Sequence, residues 1–298
     1  MNDQDMLWFD GQLMPQRDAQ CSLLEHGLHY GTGVFEGIRC YDTADGPAVF
    51  RLDEHVQRLK EGAQVLGMEI SGHRLKEAVR TVLDVNNHRE AYIRPIAFYG
   101  SGSLGLDVGE TLPSHLAVAS MAWSSHLGDS AKRDGIRVHR SSVRRVSARA
   151  LPPLKLCGAY VNSVVAKRAA TASGFDEALF VDDLGLVCEA TGENVFMVNK
   201  GEVTAVSHAD ALPGITRQTV IELTQAISRP VTYQELLEAD EVFLTGTSAE
   251  VTPVSCLDGT EKAIGPITRQ VQQLYDRAVR GALPGYGRWL TRVQPCAA

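Results

Sequence analysis

Apolar residues recur along this chain in two rhythms. Over 53–66, Val56, Leu59, Ala63 and Leu66 share one face at helical spacing, with Asp53 placed to cap the start and Gly67 to end it. The same rhythm over 73–87 puts Leu75, Val79, Val82 and Leu83 on one stripe. LWFDGQLM (7–14) reads as a hairpin, two short apolar runs about Asp10 and Gly11. AYIRPIAFYG (91–100) and HLAVASMA (115–122) read as strands. Residues 22–41 are apolar too, but Gly27, Gly31, Gly33 and Gly37 interrupt any helix there.

The second half mixes the two periods. IRVHRSSVRRV (136–146) reads as a strand with one wet face. Gly158 to Ser173 reads as a helix ended by Gly174, with Val161, Val164, Val165 and Ala169 turned inward. EALFV (177–181), LVCEA (186–190), NVFMV (195–199) and EVTAV (202–206) follow as strands, and the short turns between them predict an antiparallel meander rather than strands alternating with helices. Leu212 to Arg217 opens a helix running to about Ile227, and EVFLT (241–245) is a further strand. The polar, glycine-bounded run 123–135 is the expected interdomain linker loop, dividing a first domain at 1–122 from a second at 136–298.

Composition changes this picture little. With 298 residues, 44% hydrophobic and 22% charged, the chain suits one large globular domain or two smaller ones. A net charge of −7 argues against a nucleic-acid surface, and the basic run at 136–146 lacks stacking aromatics. No apolar run approaches the roughly 20 residues that span a bilayer, so no membrane association is expected. Cys21, Cys40, Cys157, Cys188, Cys256 and Cys296 are scattered, without metal-ligand spacing, which reads as reduced thiols in a cytoplasmic protein.

Candidate chemistry begins with lysine. Of seven lysines only Lys155, between Leu154 and Leu156, is embedded in apolar sequence, the others lying in charged or turn-like surroundings. An apolar setting favours the neutral, nucleophilic amine that Schiff-base chemistry needs; the plainer alternative is a lysine whose stem packs while its head reaches water. Glu189 is a carboxylate in the apolar run LVCEA and requires a donor or cation. Leu212-Pro-Gly-Ile-Thr-Arg217 and Gly246-Thr-Ser-Ala-Glu250 are loops able to approach an anion closely. Arg58 edges an apolar helical stripe and Arg94 interrupts an apolar strand; each is open to a structural reading or to anion binding. A lysine, two anion loops and a buried carboxylate together make the parts list for pyridoxal phosphate.

Longer segments carry a resemblance. HGLHYGTGVFEGIRCY (26–41), EHVQRLKEGA (54–63), AYIRPIAFYGSGSLGL (91–106), LKLCGAYVNSVVAKRAA (154–170), EATGENVFMV (189–198), ALPGITRQTVIEL (211–223) and ADEVFLTGTSAEVTPV (239–254) span nearly the whole chain. Together they resemble the branched-chain amino acid aminotransferases, pyridoxal-phosphate enzymes of fold type IV. The resemblance implies an α+β fold, with a small α/β domain and a larger cofactor-binding domain with a β-barrel-like core, assembled as a homodimer or a multiple of it. It implies transamination of leucine, isoleucine and valine with 2-oxoglutarate.

It also assigns roles. Lys155 would form the Schiff base and carry the proton between Cα and C4′; Glu189 would meet the pyridine nitrogen and Tyr160 the phenolic oxygen. Arg58, backbone groups of Ile215 and Thr216, and Thr247 would hold the phosphate. Tyr30, Phe35, Gly37, Tyr92, Leu106 and Trp123 would line an apolar side-chain pocket, and Arg94 would take the side-chain carboxylate of glutamate. Thr247 and Ser248, assisted by Arg39, would take the α-carboxylate. Two positions depart from the family: His126 stands where tyrosine is frequent, and Ser248 where alanine is common. Both bear on substrate preference. The alternatives are a fold-type IV D-amino acid or (R)-amine transaminase, a lyase, a branched-chain-type enzyme specialised for an unusual amino acid, and a catalytically silent homologue.

Overall fold

The computed structural model describes residues 4–108, 112–123 and 128–293, so His126 and Cys296 lie outside the described residues. Helices and strands are mixed along the chain. The chain divides into two compact units: Met1–Ser124, Lys155–Gly158 and Val279–Ala298 in the first, Ser125–Leu154 and Ala159–Ala278 in the second. The sequence predicts a single linker at 123–135; the chain instead passes between units at 124/125, 154/155, 158/159 and 278/279. Backbone hydrogen bonds are the reason. Leu156 bridges Val34, Phe35 N donates to Lys155 O (3.1 Å) and Gly158 N to Gly31 O (3.2 Å). The late strand Leu290–Arg292 pairs with Gly46–Phe50. Part of the expected linker loop, Gly128–Asp134, is helical.

The first unit holds an antiparallel sheet in the order Leu290–Arg292, Gly46–Phe50, Ile38–Thr43, Ala91–Tyr99, Ser114–Ala122, Met6–Phe9, Gln12–Pro15, with Gly33–Phe35 also on Ala91–Tyr99. Asp10 and Gly11, both at positive φ, make the two-residue turn of the first hairpin. The glycine-broken stretch 22–41 forms the short helix His26–Tyr30 and then two strands. Leu52–Val65 is the helix expected at 53–66, but Arg51, in the left-handed region, stands at its N-cap; Asp53 pairs with Lys76 instead (2.5 Å). Its buried face carries Val56, Leu59 and Ala63 and also His55 and Arg58, because 55, 58, 59 and 62 fall on one side of a 3.6-residue turn.

The second unit has its own sheet, ordered Val187–Ala190, Glu177–Val181, Ile136–Arg140, Glu250–Leu257, Glu241–Gly246, Asn194–Asn199, Glu202–Val206, Ile227–Arg229. Its ends curl toward each other: Leu186 bridges Thr232, and Val187 N donates to Val231 O (2.9 Å). Val138, Leu179, Val195, Leu244 and Val254 fill the barrel-like core, each contributing about 1.5–3 kcal/mol of burial. Two steps of the expected meander are present, Glu177–Val181 antiparallel to Val187–Ala190 and Asn194–Asn199 antiparallel to Glu202–Val206, and the step between them is not. Val187–Ala190 does not continue into Asn194–Asn199, which pairs with Glu241–Gly246; and Ile136–Arg140 runs parallel to Glu177–Val181. Parallel neighbours require a crossover, and the helix Tyr160–Ala172 supplies it. A second crossover, through Ile215–Thr224, sets Glu202–Val206 parallel to Ile227–Arg229.

The face predicted for Tyr160–Ala172 is also reversed. Val161, Val164 and Val165 are 64%, 57% and 50% exposed, while Ser163, Ala166 and Ala170 are buried. Small residues let the helix approach Phe180 and Cys188 closely, which the valines would prevent. Among the described residues no helix is long and apolar enough to cross a membrane.

Candidate active site

In the first unit a buried carboxylate organises three elements. Glu36 follows Gly33–Phe35 and is fully buried. Its oxygens accept from Arg58 Nε (2.6 Å), Arg58 Nη2 (2.9 Å) and His55 Nδ1 (2.8 Å). Burial is the largest single influence and pushes Glu36 up, but the charges and hydrogen bonds of Arg58 and His55 outweigh it and hold the carboxyl far below its usual range. Burial in turn pushes His55 down, against the pull of Glu36. Arg58 is therefore an inward-facing arginine in a fixed orientation, set by a two-point carboxylate contact.

Phe35 sits beside this group. Lys155, half-buried, places Nζ 5.0 Å from the Phe35 ring centre, and the Arg94 guanidinium lies 4.9 Å from the same centre. Arg94 Nη2 donates to Tyr92 Oη (3.2 Å), and the Tyr92 ring packs on Trp123 at 5.1 Å. Gly37 makes this possible, since a Cβ there would stand 1.8 Å from Tyr92 Oη. Among the described residues Arg94 has no carboxylate partner. The structure thus brings together Phe35, Gly37, Tyr92, Arg94, Trp123 and Lys155.

Three expected residues stand apart from that cluster. Arg39 is buried, with Nη2 at 3.3 Å from Glu90 and its guanidinium over the Tyr41 ring (4.7 Å). Tyr30 is exposed and donates to Leu104 O (2.7 Å), and Leu106 is 81% exposed. His126 lies outside the described residues.

The second unit holds the other site residues. Glu189 is buried; its oxygens accept from Arg145 Nε (2.6 Å) and Leu212 N (2.9 Å). Tyr160 opens its helix, and Asn162 two residues on accepts from Val146 N (3.3 Å). Asn194 Nδ2 donates to Leu212 O (2.9 Å), and a Cβ on Gly214 would stand 1.9 Å from Asn194 Oδ1. Glu189 and Asn194 therefore pin the loop from both strands beneath it. Gly214 then caps Ile215–Thr224, whose first N–H groups, including those of Ile215 and Thr216, lack acceptors within the helix. Asn194 is also the register partner of Thr245, which leads into the loop carrying Thr247 and Ser248. One strand thus orders both anion loops.

These parts suit a phosphorylated aromatic aldehyde: a half-buried amine, a carboxylate held by an arginine, a tyrosine at a helix start, and two backbone-rich anion loops. Residues 33–257 match the family model described as amino-transferase class IV. The chain belongs to that family, within its branched-chain amino acid group. It is 39% identical to the branched-chain-amino-acid aminotransferase of Pseudomonas aeruginosa, over 99% of both chains. The branched-chain amino acid aminotransferase of Thermobaculum terrenum, solved in its PLP-form, superposes with a TM-score of 0.90 at 32% identity, covering 99% of this chain and 100% of that one. The Escherichia coli enzyme gives 0.93 at 36%, over 97% and 99%.

Within this class IV aminotransferase, sequence reasoning passed over Arg145, Glu36 and Asn194. Arg145 lies in a run read as the wet face of a strand. Glu36 carries the signal that singled out Glu189, a carboxylate in an apolar run, and the same rule applied to VFEG finds it. Asn194 carries no such signal, because its role depends on which strand lies under Gly214.

Proposed function

We propose that the chain transfers amino groups between branched-chain L-amino acids and 2-oxoglutarate, with pyridoxal 5'-phosphate as cofactor. Bound pyridoxal phosphate supplies an aldehyde that condenses with amines and a ring that stores the electron pair left when Cα loses its proton. Lys155 would hold the cofactor through its amine and would take and return the Cα proton. Glu189, bonded by Arg145 Nε and Leu212 N, would face the ring nitrogen and keep a proton on it. Tyr160 would meet the phenolic oxygen. Arg58, the N–H groups of Ile215 and Thr216, and Thr247 would hold the phosphate.

One observation carries the substrate reading: Arg94, without a carboxylate partner among the described residues, is held at the edge of the Phe35–Tyr92–Trp123 aromatic cluster. Branched aliphatic chains pack on the rings, and the glutamate side chain reaches the guanidinium. Thr247 and Ser248 receive the α-carboxylate. Leu106 and Tyr30, exposed in the single chain, belong to a surface that a second copy covers, as do Val161, Val164 and Val165; a homodimer follows from that reading. The five described cysteines are all free, which supports a cytoplasmic setting.

The test pairs a variant with a substrate panel. Lys155→Ala is expected to lose the visible absorbance of the cofactor and turnover together; surviving turnover removes Lys155 from the mechanism. Leucine, isoleucine and valine should be donors to 2-oxoglutarate and D-alanine inert. The reverse pattern would make the chain a D-amino acid transaminase.

A further inference from the structure

A buried acid that this mechanism does not use lies under one of the anion loops. Glu193 sits in the turn between Val187–Ala190 and Asn194–Asn199. Its backbone closes that turn, Ala190 N donating to Glu193 O (2.8 Å). Its side chain, 8% exposed, runs beneath Gly246: a Cβ there would stand 3.2 Å from Glu193 Cγ and 3.3 Å from Gly192 O. Gly246 begins the loop of Thr247 and Ser248, so Glu193 is part of its floor.

Among the described residues, the surrounding charges leave Glu193 without a cation of its own. Glu177, on Glu177–Val181, takes Lys167 Nζ of the helix Tyr160–Ala172 (2.5 Å), together with Thr191 Oγ1 (2.5 Å) and Ala178 N (2.7 Å). Glu189, on Val187–Ala190, takes Arg145. Glu193 Oε2 accepts only from Gly192 N (3.2 Å) among the described residues. Three carboxylates thus share two cations, both engaged by the other two acids.

We propose that Glu193 is a positioning residue for the cofactor phosphate, acting through Gly246 and the 246–248 loop that it supports. It does so as the neutral acid. Burial first, and then repulsion from Glu177, push its carboxyl up to about 8, with Lys167 opposing and Glu189 adding to the rise. Above that pH an anion would face Glu177 and Glu189 in largely buried surroundings. The side chain then swings out or draws water in, and Gly246 loses its support. The inference rests on the reading of 246–248 as a phosphate loop.

The experiment follows cofactor retention in the holoenzyme between pH 7 and pH 9.5, by visible absorbance after equilibrium dialysis, for wild type and Glu193→Gln. Glutamine keeps the shape and cannot ionise. Wild type is expected to weaken about tenfold across this range, within the limit that one titrating group imposes, while Glu193→Gln changes by less than about twofold relative to its own value at pH 7. Contributions from Lys155, Arg58 and the phosphate itself are common to both proteins and cancel in the comparison. Parallel weakening of the two proteins overturns the proposal, and so does a Glu193→Gln protein that already loses cofactor at pH 7. If both proteins stay colourless at every pH, the cofactor reading itself falls and takes this inference with it.

Discussion

Glu36 and Glu193 are both buried carboxylates, and their neighbours give them opposite characters. Glu36, in the first unit, meets two cationic or protonatable partners, and Arg58 alone gives it two hydrogen bonds. Its carboxyl is held far below the usual range although burial alone would raise it. Glu193, in the second unit, meets a backbone N–H and a carboxylate neighbour already paired to Lys167, and is pushed up to about 8. Burial sets the stakes in both places; the supply of cations decides the sign. The first arrangement stores charge to fix an arginine, the second keeps an acid neutral beneath a loop.

Breaking the Glu36 cluster should have the largest effect. Glu36→Gln leaves a buried arginine without its counter-charge, and a loss of about 3–5 kcal/mol is expected, read from denaturant midpoints. Its pH dependence sharpens the contrast. A carboxyl with a depressed folded pKa contributes stability above its unfolded value, near 4.3, and loses it as pH falls through the folded value. The wild-type advantage over Glu36→Gln should therefore stay level from pH 6 to pH 9. Glu193 behaves in the opposite way. Its cost is absent below about pH 4.5 and grows at up to about 1.4 kcal/mol per pH unit toward its folded value near 8. The gain in melting temperature of Glu193→Gln over wild type should widen from pH 5 to pH 8; a constant gap would show that Glu193 titrates normally.

Smaller effects probe the surfaces around these clusters. Gly37→Ala pushes a methyl into Tyr92 Oη, so Tyr92 must move away from Arg94. A cost of about 1–3 kcal/mol is expected, with KM for glutamate rising more than KM for leucine. Equal rises would separate Tyr92 from the placement of Arg94. Val161→Asp lies on an exposed helical face and should change chain stability by less than about 0.5 kcal/mol. Light scattering should nevertheless show dissociation of the proposed dimer; an unchanged mass would place the second copy elsewhere.

The elements legible in the sequence are those with a strong local period or turn chemistry. The Asp10-Gly11 hairpin, the helices at 52–65 and 72–85 and the strands at 91–99 and 114–122 follow from spacing and caps. The helix at 160–172 is legible in place but not in orientation, because its valines form one helical stripe and its alanines another. Periodicity identifies a stripe; it does not say whether that stripe meets the core of its own unit. Apolar context singles out Lys155 and Glu189, and the family resemblance names their partners. The arginine that holds Glu189 stays hidden, since Arg145 is 44 residues away in sequence and sits in a basic run.

The kind of chemistry was therefore readable locally, because a lysine in apolar surroundings, glycine-rich anion loops and long family-like segments are local properties. So were most helices and strands. Long-range packing set which strands became neighbours, that the Lys155 segment joins the first unit, and which cation each buried carboxylate receives. Those outcomes depend on contacts between residues tens of positions apart, where the hydrogen bonds and charges that set protonation are made. No local pattern separates the ionised Glu36 from the neutral Glu193; the distance to an unshared cation does.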